Sequence, residues 1–133
     1  MVSTRSDTLR ILIADDHDLT RFTLKVALQR QANLELVGAA SNGQQAVEMA
    51  KASRPHVVIL DMQMPVMDGA LASRQIKKID PDIAIIGYSS LQTNDCQNLL
   101  KAAKLDAVCD KCAGTSELVE LAWKLSQHHS KSG

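Results

Sequence analysis

Three aspartates stand where buried strands would hand the chain over to chemistry. Asp61 follows the apolar run Val57-Val58-Ile59-Leu60, and Asp15 and Asp16 follow Ile11-Leu12-Ile13-Ala14. Strands buried on both faces read as continuous apolar runs, so each acid is expected at a strand's carboxyl tip. Carboxylates a few Å apart raise one another's pKa, and a bound cation removes that strain. Several carboxylate and carbonyl oxygens suit a hard ion that keeps some of its waters, hence Mg²⁺. Ser89 and Ser90 end a fourth apolar run, and Lys111 ends a fifth. A metal, a hydroxyl and a lysine around one aspartate are what phosphoryl transfer to a carboxylate needs. The attacking oxygen is positioned and the equatorial oxygens are neutralised.

The elements that must hold these groups follow from the hydrophobic pattern. Apolar runs alternate with helical patterns five times. Strands are predicted at Arg10–Ala14, Leu34–Ala39, Val57–Leu60, Ala84–Tyr88 and Ala107–Asp110. Helices are predicted at about Leu19–Arg30, Gly43–Lys51, Gly69–Lys78, Thr93–Ala103 and Ser116–Gln127. Cys96, Leu99, Leu100 and Ala103 form one buried stripe on the fourth helix; Leu118, Leu121, Ala122 and Leu125 form another on the fifth. Pro55 and Pro81 precede strands and end helices there. Asn42 and Thr115 can cap the helices that follow. Strict β–α alternation predicts a parallel sheet with helices on both faces. In such sheets ligands bind beyond the carboxyl ends of strands, where the strand order reverses.

The bulk properties narrow the function classes. The chain has 133 residues, which suits one domain. Lys plus Arg total 15, as do Asp plus Glu, so charge makes no general case for nucleic acid or a membrane surface. No apolar run approaches the roughly 20 residues of a membrane span. A polar N-terminus without a signal-peptide core, and three cysteines that cannot all pair, favour a reduced cytoplasmic setting. Residues 1–8 and 128–133 read as flexible tails around one domain at 9–127. No linker or second domain is expected after the fifth helix.

In these residues the sequence resembles the receiver domain of two-component response regulators, from about Leu9 to Leu125. The Asp15-Asp16 pair, Leu60-Asp61 with Met64-Pro65 and Met67-Asp68-Gly69, Ser89 and Lys111 fall in order and at the family's spacing. Asp15-Asp16-His17, Ser41-Asn42-Gly43 and Val37-Gly38 are most similar to receivers that precede a helix-turn-helix output domain, which implies transcription regulation. The resemblance implies a flavodoxin-like, doubly wound, five-stranded sheet of order 2-1-3-4-5. It implies that Asp61 accepts a phosphoryl group from a kinase phosphohistidine. Asp16, Asp61 and the Gln63 backbone carbonyl would ligate Mg²⁺ directly, with Asp15 acting through water. Ser89 would bond a phosphoryl oxygen, Ser90 would be the small neighbour that admits phosphate, and Lys111 would pair with Asp61 at rest. Gly69 would permit the turn into the third helix. Partners implied are a sensor histidine kinase or phosphotransfer protein, an effector or output domain at the face of the fourth helix, fifth strand and fifth helix, and a second copy in a homodimer. Beyond its own phosphorylation and dephosphorylation, no enzymatic turnover is expected.

Other features compete with or depart from that reading. An aromatic often stands three residues before the lysine; Val108 stands here. A Gly-Ala pair usually ends the fourth helix; Lys104-Leu105 replace it and predict another path. Cys112 follows the lysine in place of a proline. These departures motivate a second reading, an interaction module whose signalling no longer depends on phosphorylation. An aspartyl-phosphate hydrolase is a third, disfavoured by Gln63 where a second acid would stand. Cys109 and Cys112 form a C-x-x-C at a strand's end, where extended geometry sets them too far apart for a disulfide. Tyr88 and the methionines Met62, Met64 and Met67 read as packing. Val119 and Trp123, one turn apart, read as edge packing or as an exposed patch for a partner.

Overall fold

Each central strand is covered on both sides, and its alternate side chains supply two separate cores. The computed structural model of the chain describes residues 8–64, 66–90 and 104–132, with side chains as far as Ser126 in the last helix. The elements are β1 (Leu9–Ala14), α1 (Asp18–Gln29), β2 (Leu34–Ala40), α2 (Gly43–Ser53), β3 (Val57–Asp61), α3 (Gly69–Ile79), β4 (Ala84–Ser89), β5 (Ala107–Asp110) and α4 (Thr115–Ser132). The helix expected over Thr93–Ala103, with its stripe, lies outside the described residues, so α4 is the fifth helix of the sequence reading. Five strands form one parallel sheet in the order β2-β1-β3-β4-β5.

Leu12, Val58, Leu60 and Ile85 pack with Ala46 and Ala50 of α2 and Ala72 and Ile76 of α3. Their neighbours in sequence, Ile11, Ile13, Val57, Ile59 and Ile86, pack with Leu24 and Leu28 of α1 and Leu118 and Ala122 of α4. The period of two is hidden in sequence because both phases are apolar. Each fully buried Leu or Ile contributes about 1.5–3 kcal/mol. The strand tips are thereby held on a rigid base.

Local chemistry sets the helix starts. Asn42 Oδ1 accepts from Gln45 N at 2.9 Å, while Gln45 Oε1 accepts from Ser41 N at 2.9 Å, a reciprocal cap on α2. Asp68 Oδ1 accepts from Leu71 N at 2.9 Å and caps α3. Thr115 is the first residue of α4 rather than the cap before it. That helix also runs on to Ser132, where a tail from residue 128 was expected. No Gly or Pro stands between Gly114 and Gly133, so nothing in the sequence stops it.

One expectation about backbone is corrected, and another gains its physical cause. Lys104 takes the left-handed conformation itself, with φ +57°, instead of following another path. The gain lies in Leu105, which is buried to 8% exposure. A Cβ added to Gly87 would lie 2.7 Å from Leu105 Cδ1 and 3.2 Å from Met62 Sδ. Leu105 and Met62 thus fill the hollow that Gly87 leaves in β4. Gly69 opens α3 without a positive φ, which no glycine among the described residues has. It allows close approach: a Cβ there would lie 2.6 Å from the Asp61 carbonyl oxygen.

Opposite signs are therefore expected at these positions. Lys104→Gly removes the left-handed cost and is expected to raise stability by about 0.5–1 kcal/mol. Gly69→Ala forces α3 away from β3 and is expected to lower it by about 1–3 kcal/mol. Urea unfolding of both variants checks this; a destabilised Lys104→Gly would contradict the first, and a neutral Gly69→Ala the second.

Candidate functional site

Strand register brings the predicted groups together. Ala14 pairs with Leu60, so Asp15 leaves β1 level with Asp61 at the end of β3. Asp61 pairs with Tyr88, placing Ser89 one residue further out on β4. Ser89 pairs with Asp110, placing Lys111 one residue beyond β5, where its N–H donates to the Ser89 carbonyl at 2.8 Å. The chain runs from β1 to β2 on one side and returns to β3 on the other. The gap between β1 and β3 is the switch point, and the acids sit at its mouth.

Asp15 is 0% exposed and Asp61 2%, while Asp16 is half-buried. Lys111 Nζ lies 2.9 Å from Asp15 Oδ2 and 3.4 Å from Asp61 Oδ2. The resting lysine therefore leans on Asp15 more closely than on Asp61, which refines the expected pairing. The 2.9 Å approach is an ion pair rather than an aligned hydrogen bond. Asp61 Oδ1 accepts from Gln63 N at 3.1 Å, which orients the carboxylate. Among the described residues, the buried side-chain oxygens without a hydrogen-bond donor are Asp15 Oδ2, Asp16 Oδ1, Asp61 Oδ2 and Ser73 Oγ. All but one lie in this cluster.

The electrostatics separate the two buried acids. Burial raises the Asp61 carboxyl; the Asp15 charge adds to this, and the Gln63 N–H and Lys111 only partly oppose it, so it stays above the ordinary aspartate value. Burial also pushes Asp15 up, but the His17 N–H and Lys111 outweigh it and hold Asp15 below its ordinary value. Lys111 loses by burial and gains more from Asp15 and Asp61, so it remains charged. One ammonium serves two buried carboxylates. The donor set is rich in oxygen and short of positive charge, which fits a hard divalent cation such as Mg²⁺.

The remaining predicted residues divide. Ser89 is buried at 4% exposure at the tip of β4, and Ser90 beside it is exposed. Tyr88 is buried, with Lys111 Nζ 5.6 Å from its ring centroid, so the ring packs under the lysine stem. Met62 and Met64 are core residues at 7% and 8% exposure. Val108 is half-buried against the α2/α3 core. Val119 is not an exposed patch: at 7% exposure it belongs to the α1/α4 core, with Trp123 half-buried against it. The side of α4 next to the stripe is thus also packed against the core. Cys109 is buried, Cys112 exposed, and both are free.

Sequence reasoning passed over His17 as a member of the site. Its N–H donates to Asp15 Oδ1 at 2.9 Å, and its Nδ1 lies 3.0 Å from the same oxygen. The signal was adjacency alone, since an imidazole two residues past a strand tip can fold back over it. Arg21 of α1 was also missed; it donates to the Asp15 carbonyl at 2.7 Å. One ligand atom from each of Asp15, Asp16, His17 and Asp61 lies within 4.8 Å of all the others.

Comparison with known proteins agrees with this geometry. Residues 11–122 match the family model of the response regulator receiver domain. A protein-glutamate methylesterase/protein-glutamine glutaminase from Methanosarcina acetivorans is 40% identical over 75% of this chain and 28% of its own length. The response regulator GacA of Pseudomonas viridiflava is 30% identical over 84% of this chain and 52% of its own. The chain thus spans between about a quarter and about half of these relatives. The response regulator domain of Thermotoga maritima CheB superposes with a TM-score of 0.82 at 27% identity, covering 90% of this chain and 97% of that one. The receiver domain of the response regulator NarL from Mycobacterium tuberculosis gives 0.84 at 25% identity, covering 91% and 98%. With a five-stranded sheet of the expected order, acids gathered at its switch point and this match along most of its length, the chain belongs to the receiver-domain family of response regulators.

Proposed function

We propose that Asp61 accepts a phosphoryl group from a phosphohistidine of a sensor kinase or phosphotransfer protein. The observation that carries this is the state of Asp61 Oδ2: buried, without a hydrogen-bond donor and 3.4 Å from Lys111 Nζ. As the donor's P–N bond breaks, an Asp61 oxygen forms the new P–O bond and the donor imidazole leaves. Gln63 N–H orients the acceptor. Lys111 neutralises a phosphoryl oxygen, and Ser89, one residue further out on β4, supplies a hydroxyl to another. Mg²⁺, held by Asp16, Asp61 and the Gln63 carbonyl, would supply positive charge to the phosphoryl oxygens. Asp15, with its oxygens engaged by His17 and Lys111, would act on the ion through water.

Two surfaces suit the partners. On α1, Leu19 is 76% and Phe22 63% exposed, and a cleft of about 240 Å³ lined by Leu19, Thr23, Tyr88, Lys111 and Thr115 opens beside the lysine. A donor protein that delivers phosphoryl to Asp61 covers this rim. A groove of about 440 Å³ between β5 and α4, lined by Val108, Asp110, Glu117, Glu120, Leu121 and Lys124, belongs to the face proposed for an effector, an output domain or a second copy. Among the described residues no helix is long and apolar enough to cross a membrane. A cytoplasmic regulator that acts through contact, without turnover of its own, fits these features. Transcription regulation is the output that the Asp15-Asp16-His17 signature and the NarL likeness support. The intact acid cluster favours this reading over phosphorylation-independent docking.

Acetyl phosphate with Mg²⁺ is expected to load the wild type with one acid-stable, base-labile phosphoryl group and to leave Asp61→Asn unlabelled. An unlabelled wild type would contradict the proposal, and multiple turnover of phosphate esters would favour a hydrolase.

Charge gives a second test. A carboxyl whose folded pKa lies above its unfolded one supports folding while protonated, and that support is lost as pH rises through the folded value. Metal-free Asp61→Asn is therefore expected to melt about 3 °C or more above wild type at neutral pH, the size ~1 kcal/mol produces in such a domain. The difference should vanish below the unfolded aspartate value. Mg²⁺ should raise the wild-type melting temperature, by ~2.7 kcal/mol at a hundred times Kd, and leave Asp61→Asn nearly unmoved. A destabilised Asp61→Asn would contradict the account.

A further inference from the structure

We propose that His17 is a nitrogen donor to the cation site and turns it toward ions of the Co²⁺, Ni²⁺ and Zn²⁺ class in preference to Mg²⁺. The inference rests on the reading of the acid cluster as a cation site. His17 Nδ1 lies 3.0 Å from Asp15 Oδ1, 3.1 Å from Asp16 Oδ1 and 4.0 Å from Asp61 Oδ2. Ligands about 2.1 Å from one ion stand roughly 3.0 Å apart when adjacent and 4.2 Å apart when opposite. The spacings to Asp16 and Asp61 fall in that window without rearrangement of the backbone.

The ring's present partner is Asp15 Oδ1, 3.0 Å from Nδ1, a contact that ligation of an ion by Nδ1 would replace. His17 is the N-cap of α1, with φ −91° and ψ +118°, yet its side chain makes no capping bond. Its backbone N–H is tied to Asp15 Oδ1, which fixes the residue over the acids while the side chain remains 64% exposed. The oxygens it would join, Asp16 Oδ1 and Asp61 Oδ2, are buried without a hydrogen-bond donor. They are the independent sign that a cationic occupant is missing from the balance of the site. With its proton on Nε2, the imidazole presents the Nδ1 lone pair to that occupant. An all-oxygen set favours Mg²⁺, which gives up water reluctantly, whereas an imidazole favours the later first-row ions. His17 thus converts an O-donor pocket into a mixed N/O pocket.

The test measures metal binding by the whole chain without phosphorylation. The reduced protein, with His128→Ala and His129→Ala as a common background against binding elsewhere, is titrated with Co²⁺ by visible absorption. Mg²⁺ is then measured by competition and by thermal shift. His17→Ala and His17→Phe, the latter a ring without a donor atom, are compared with the parent after circular dichroism shows that both fold. The expected result is a loss of ~10-fold or more in Co²⁺ affinity in both variants, with Mg²⁺ affinity changed by less than about threefold. An unchanged ratio of Co²⁺ to Mg²⁺ affinity would overturn the role of His17. Asp16→Asn separates the two layers. If it abolishes binding of both ions while the His17 variants keep the parent ratio, the cation site stands and His17 is no ligand. If it retains both ions, the cation-site reading fails and this inference with it.

Discussion

Two ionised carboxylates held out of water, with one ammonium between them, are the constraint around which this molecule is organised. Asp15 and Asp61 are almost completely buried, and Lys111 is shared between them. Such a group is costly when incomplete, because each unpaired charge retains most of its desolvation penalty. The sheet imposes that cost by register: once β1 and β3 pair through Ala14 and Leu60, their next residues are level with one another. Two hydrophobic cores, one on each face, keep the strands from sliding to relieve it. The site is therefore poised for positive charge before any arrives. The same imbalance explains why the two aspartates differ, with Asp15 satisfied by His17 and Lys111 and Asp61 left as the reactive member.

The path leading away from the acceptor has its own construction. The usual large ring before the lysine is replaced by Val108, which packs beside Leu105 and Met62 in one core. Met62 follows Asp61 directly and meets Leu105 over Gly87. A contiguous apolar contact thus joins the acceptor loop to the entry of β5 under the sheet. Lys104 holds that entry in a left-handed turn, so Leu105 is delivered to the core at a local backbone cost. On the other side of the acceptor, Val66 carries φ +72° in an exposed loop, an uncommon state for a β-branched residue. Asn33 and Arg54, ahead of β2 and β3, also have positive φ.

What could be read from sequence follows from this physics. The strands were legible because burial on both faces demands apolar runs, and Asp15, Asp61 and Lys111 were legible because they interrupt such runs at their ends. Asn42 was legible as a cap because capping is local. Lys104 and Gly69 were not, since each depends on what the neighbouring element presents: Leu105 seeking the hollow over Gly87, and the Asp61 carbonyl crowding α3. Val119 was left open between packing and an exposed patch because helical spacing gives relative angle but not how far round α4 the core reaches. His17 was missed because its part is set by a fold-back over the acids that no periodicity announces.

The central claim is that the metal-free site holds Asp61 in a charge environment it does not favour while Asp15 is satisfied. Side-chain carboxyl carbon NMR, followed across pH in the metal-free protein, reads both groups separately. The account predicts an Asp61 midpoint above the ordinary aspartate value and an Asp15 midpoint below it, with Mg²⁺ drawing the Asp61 midpoint down. An Asp61 midpoint at or below the ordinary value before any ion is added would contradict it.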